Sequence, residues 1–377
     1  MRRVATIALL VLSSLATTAC VHPWSARPEL DARAQKEMAA LRQRVRIYED
    51  PALAGYLRTL VPPFSPPFVI VRDPTLALFS TPTGEVVVHT GVLAAAQSEG
   101  QLAAVLNHEL QHVARDDAFA AGEPEALGQR LRPATASRTA VAIAGQNLPL
   151  TARTAISGYG AARERAADAA SLDALASTGR DPGEAVAMYE ALAAQAARGG
   201  EREVFYFGNA SRLAERLASV RALLASRATP ERSAALARAA QPEDFERRLR
   251  PVVLENASEE IRQGRFDLAR RALERVAATA PGDARLSLYQ GELYRLEAQR
   301  AGTAAEREVE LVQARAAYER ALALDPTLAD VHRQLGLLYY AMRDVARARA
   351  ELEHYVALAP SAPDRDRVGE YVMELPR

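Results

Sequence analysis

The chain of 377 residues has one cysteine, Cys20, and one lysine, Lys36. A lone cysteine can close no internal disulfide and cannot supply a thiolate zinc or iron–sulfur centre. Net charge is missing too. With 47 basic residues against 47 acidic ones there is no basic field for nucleic acid, which sets DNA and RNA binding aside. Because lysine occurs once, the other 46 basic residues are arginine, and with abundant alanine this reads as the imprint of a GC-rich genome rather than as chemistry. No phosphate loop, Cys-x-x-Cys or Gly-x-Ser-x-Gly is present. Strands are scarce: only FVIVR (68–72) and EVVVHT (85–90) are β-branched runs bounded by turn residues. What remains is a mainly α, soluble chain long enough for two or three domains.

Residues 1–20, MRRVATIALLVLSSLATTAC, have paired arginines, then an apolar run, then small residues leading to Cys20. The run is too short to span a bilayer and suits the h-region of a secretory signal. It resembles a bacterial lipoprotein signal (residues 1–19), although Thr17 stands where leucine is usual. Acyl chains on Cys20 would then anchor a soluble protein to a membrane. Val21 follows the cysteine, with no aspartate to suggest inner-membrane retention, so the expected location is the outer membrane, facing the periplasm.

Residues 20–62 read as an N-terminal helical segment, broken at Glu49-Asp50-Pro51, and PPFSPPF (62–68) as a rigid connector. Ser98-Glu-Gly-Gln101 fits a capping box that opens a helix. Residues 63–230 form the expected central domain, and 231–254 a helical linker. Over 255–377, alanine, a large apolar residue and proline recur in register: Ala269, Leu273, Pro281; Ala314, Tyr318, Ala321, Pro326; Ala348, Leu352, Pro360. Gly291 with Tyr294 and Gly336 with Tyr339 mark matching helices. This resembles the tetratricopeptide repeat, with an all-α array that presents a surface to proteins. About eleven extra residues around Ala301 to Glu310 are expected between the helices of the second unit.

Residues 108–112 are His-Glu-Leu-Gln-His. Histidines at i and i+4 share a helix face and can reach one metal ion. Glu109 lies about 100° round the helix, beside the ligands, where it can take a proton from an attacking water. Leu102, Val105, Leu106 and Val113 border this face with apolar surface. Asp116 repeats the spacing, but three ligands in line along one helix would span over about 10 Å, too far for one tetrahedral ion. Asp116 and Asp117 are therefore expected in a solvated last turn. His89, on the strand beside the site, is expected to be partly exposed, and His332 and His354 to be packing or surface residues.

Together, HELQH (108–112), ERAAD (164–168), the Gly-x-Asp-Pro turn (179–182) and VVVHTGVL (86–93) resemble the HtpX/BepA-type gluzincin metallopeptidases over roughly residues 45–225. The resemblance implies an α+β zincin-like domain with a small sheet and one Zn²⁺ held by His108, His112 and Glu164. Asp168 would orient a ligand and Glu109 would act as the catalytic base. Relatives carry a His-Pro pair ahead of a helix with an arginine. Aligned on Leu213 and Arg216, Ala210 and Ser211 replace that pair, and Asn209 is the nearest polar candidate for an auxiliary role. The expected function is zinc endopeptidase activity in quality control of envelope proteins, with misfolded or unfolded envelope proteins as substrates and a protein partner on the repeats. The alternative is a lipid-anchored adaptor or chaperone that keeps an inactive protease fold.

Overall fold

A computed structural model describes residues 28–63, 65–81, 83–115, 117, 160–199, 210–227 and 242–375. Cys20 with the signal-like run 1–19, Asp116 and Asn209 lie outside the described residues. Helix α1 (Pro28–Arg44) is followed by α2 (Pro51–Thr59), which starts where an Asp-Pro pair dictates: Asp50 accepts from the Leu53 amide at 2.9 Å and Pro51 fills the first turn. Strands β1 (Phe68–Val71), β2 (Leu78–Ser80) and β3 (Val86–His89) form one sheet in the order β1-β3-β2, with β1 parallel and β2 antiparallel to β3. Strand β2 escapes a sequence reading because three residues carry no alternation.

The expected strand 85–90 runs from Val86 to His89, and Thr90–Ala95, within the VVVHTGVL motif, is helix α3. The loop before β2 causes the switch. The Asp73 carbonyl accepts from the Gly91 amide (3.1 Å) and the Thr90 hydroxyl (2.9 Å), and a Cβ on Gly91 would lie 2.3 Å from the Pro74 carbonyl oxygen. Only glycine lets the helix turn that close.

Helix α4 (Glu99–Ala114) starts at Ser98, whose hydroxyl accepts from the Gln101 amide at 3.1 Å. Helices α5 (Ala161–Ser177) and α6 (Gly183–Gly199) are joined by the Gly-x-Asp-Pro turn. Gly179 sits at φ +73°, and the amides of Gly179 and Arg180 reach back to the Ala176 and Leu175 carbonyls. That Schellman closure is followed by Asp181, which accepts from the Gly183 amide at 2.8 Å and opens α6. Helix α7 (Ala210–Ala225) packs on α5 and α6.

The remaining elements are helices: α8 (Pro242–Arg262), α9 (Phe266–Thr279), α10 (Ala284–Ala298), α11 (Ala304–Leu324), α12 (Ala329–Ala341), α13 (Val345–Leu358) and α14 (Arg365–Glu374). One apolar core runs from α2, the sheet and α4 through α6 into Phe245, Leu249 and Val253 of α8 and on to Leu273 of α9. Polar contacts tie the same seam: the Thr90 hydroxyl to Asn256 (3.0 Å), Arg72 to Glu255 (2.8 Å), and Arg275 to the Ala94 carbonyl (2.9 Å). A second core joins α10 to α14. The extra residues of the second unit lengthen α11 to 21 residues, against 14 in α9 and α13. They are helical because Thr303 and Glu306 make a full capping box ahead of an Ala/Glu/Arg-rich run. Among the described residues no helix is long and apolar enough to cross a membrane.

Candidate active site

Helix α4 is buried on nearly all sides: His108, Glu109 and His112 are each at most 3 % exposed. The ligand atoms of these three residues lie within 4.8 Å of one another. Glu164, in the first turn of α5, joins them from the facing helix. The His108 and His112 Nε2 atoms are 3.0 Å apart, and Glu164 Oε2 lies 3.2 Å from the first and 3.6 Å from the second.

Those three distances allow a direct test of fit. Ligands about 2.0–2.1 Å from a tetrahedral zinc stand about 3.3–3.4 Å apart, and the observed triangle brackets that value. Two imidazole nitrogens and a carboxylate oxygen converging in a buried pocket are also the donor types zinc takes. The residues present fit a zinc ion.

The outer nitrogen of each histidine is held by a carboxylate. His108 Nδ1 is 2.9 Å from Asp168 Oδ1, and His112 Nδ1 is 2.8 Å from Asp117 Oδ2. Such pairs fix ring orientation and aim Nε2 at an ion. Asp117 corrects the expectation of a solvated last turn. It is buried and also meets Arg163 at 3.0 Å. His89 is a second correction: it is buried, bonded to the Thr75 hydroxyl at 2.8 Å and set edge-on to Phe79. It sits on the central strand, so the strand beside the site is β2.

That strand holds the remaining carboxylate. The Ser80 amide donates to Glu109 Oε2 at 3.0 Å, fixing the side chain next to the ligands, 3.9 Å from His108 Nε2. Burial pushes the Glu109 carboxyl up, partly offset by His112 and His108.

Arg216, on α7, completes the constellation. Its guanidinium meets Asp168 at 2.6 Å and Glu164 at 3.0 Å, contacts the Tyr189 hydroxyl, and lies 3.2 Å from both nitrogens of the His108 ring. Tyr189, from α6, donates to Asp168 at 3.0 Å. Burial works to raise the Glu164 and Asp168 pKa values, but Arg216 and the neighbouring histidines together outweigh it, holding Glu164 well below the carboxylate range and Asp168 at about 2. Burial opposes charge on His112 as well, yet Asp117 and Glu164 lift it to about 9. Tyr189 and Asp117 went unrecognised in the sequence, and Arg216 served only as an alignment anchor. One signal was there to be read: Arg216 falls on the apolar stripe Leu213–Leu217–Val220, where an arginine needs a buried partner.

The four placed site residues, His108, Glu109, His112 and Glu164, thus meet at one point, with Asp168 directly behind His108. A His-Glu-x-x-His helix completed by a glutamate from a second helix is the architecture of a metallopeptidase. Residues 63–237 match the family model of Peptidase family M48, and residues 301–373 match that of the tetratricopeptide repeat. The central domain belongs to Peptidase family M48, a family of metal-dependent peptidases, and a repeat region follows it. No curated protein matches the chain.

Proposed function

We propose that the protein is a zinc-dependent endopeptidase of the bacterial cell envelope, acting on unfolded or misfolded periplasmic or outer-membrane proteins. The observation that carries the chemistry is the 3.0, 3.2 and 3.6 Å triangle of His108, His112 and Glu164, with Glu109 beside it. Bound there, zinc supplies Lewis acidity, which acidifies water and polarises a scissile carbonyl. Glu109 accepts the proton of the attacking water and returns it to the leaving amine, and its raised pKa brings it closer to neutral pH, where proton transfer in both directions is efficient. The Ser80 amide keeps the Glu109 side chain aimed while it does so. Asp168 and Asp117 orient the two histidines, and Arg216 keeps Asp168 and Glu164 ionised. Asn209 is a candidate auxiliary group in place of the His-Pro pair.

The signal-like run 1–19 ending at Cys20, which acylation would anchor to a membrane, supports the envelope location, and the repeats would dock a client or an assembly partner near the site, raising its local concentration. The test is Glu109→Gln against wild type on casein, with bound metal measured in both. The expected result is a loss of about 10²–10⁴-fold in cleavage with metal retained. Equal rates would support the adaptor reading instead, for which the substitution of the His-Pro pair by Ala210 and Ser211 speaks.

A further inference from the structure

Among the described residues, a second cluster of metal-ligating side chains lies far along the chain from the peptidase site, on the helix pair α12–α13. His332 stands on the first turn of α12. Glu351 and His354 stand three residues apart on α13, a spacing that puts both on one helix face. His332 Nδ1 is 2.7 Å from Glu351 Oε2, and the rings of His332 and His354 meet edge-on with centroids 5.3 Å apart. One donor atom from each of the three residues lies within 4.8 Å of the others.

We propose that His332, Glu351 and His354 form a second divalent transition-metal site, of the zinc or nickel class, that clamps α12 to α13. Two imidazoles and one carboxylate are the donors such ions take, whereas calcium and magnesium call for a shell of oxygens. Ligands of a tetrahedral ion stand about 3.3–3.4 Å apart, so donors as far as 4.8 Å apart need to close by about 1.5 Å, while the 2.7 Å His332–Glu351 contact opens by about 0.6 Å. His354 is the group that can do this. It is exposed, whereas the His332–Glu351 pair is already in contact and half-buried.

The surrounding charges favour an ion as well. In a chain with 46 arginines, the salt-bridge partner of Glu351 among the described residues is His332. The neighbouring Arg333 pairs with Asp364 at 2.7 Å, so its guanidinium does not compete for the Glu351 carboxylate. Three protein ligands leave an open position for water or for a side chain of a docked partner.

This inference stands independently of the peptidase reading, and its test separates the two. The full chain is dialysed against increasing Zn²⁺, and bound zinc is counted by mass spectrometry in wild type, His354→Gln, His332→Gln and His108→Ala. His354 is exposed, so its replacement leaves the fold intact. Two equivalents are expected in wild type and one in each variant, and in His108→Ala zinc still raises the melting temperature of the repeat region by linkage. If His354→Gln and His332→Gln both bind as much zinc as wild type over the whole titration, the second site does not exist, whatever His108→Ala does. A single equivalent lost only in His108→Ala leads to the same conclusion.

Discussion

The two halves of the chain bring helices together by opposite means. Around the active site, α4, α5, α6 and α7 converge on ionisable groups: His108, His112, Glu109, Glu164, Asp168, Asp117 and Arg216 are all buried or nearly so. In the repeats the contacts are made by glycine and large apolar side chains. A Cβ on Gly291 would stand 2.4 Å from the Tyr318 ring, and one on Gly336 would stand 2.5 Å from Leu352. Glycine and partner keep the same relation in successive units, so one device is used twice. Buried charge costs stability unless every member is paired, whereas glycine-lined packing needs only close shape. The first arrangement is kept for what it can bind and the second for what it can carry.

Breaking the charge network should therefore hurt most. Arg216→Met leaves Glu164 and Asp168 buried without their cation, and in metal-free protein we expect a loss of about 3–5 kcal/mol in unfolding free energy, measured by urea titration. An unchanged midpoint would mean that the carboxylates find another partner. The repeat side should give less. Gly291→Ala drives a methyl into the fully buried Tyr318, an overpacking cost of about 1–3 kcal/mol that the roughly 1 kcal/mol helix preference for alanine partly offsets. Thermal melting should fall by a few degrees while cleavage of a short peptide is unaffected. Loss of that cleavage would show that the halves are not separable.

The smallest effect concerns Asp73, where the His89 and Thr75 contacts overcome burial and hold the carboxyl at about 2 against an ordinary 3.8. A depressed folded pKa adds stability that is present above pH 3.8 and is lost as pH falls through about 2. Asp73→Asn should flatten the acid limb of the stability curve between those values, and only slightly, because the side chain is 40 % exposed. A wild-type slope in the variant would place the acid sensitivity elsewhere.

What the sequence revealed follows the same division. HELQH and the repeat register are local patterns set by helical periodicity, so their residues could be named from spacing. Glu164 and Asp168 came from resemblance, and the structure places both beside the histidines. Asp117, Tyr189 and Arg216 stayed hidden because their pairings with His112, Asp168 and Asp168, at separations of 5, 21 and 48 residues, follow no helical spacing that a local pattern could record. Strand β2 was hidden by its length, and the lengthened α11 by the expectation that extra residues form a loop.

The central claim is that His108, His112 and Glu164 hold one zinc ion. Diffraction from a crystal of the protein, recorded at wavelengths on either side of the zinc absorption edge, tests it most directly. The account predicts an anomalous peak about 2.0–2.2 Å from His108 Nε2, His112 Nε2 and the Glu164 carboxylate together. Zinc-loaded crystals with no peak among those three atoms would contradict it.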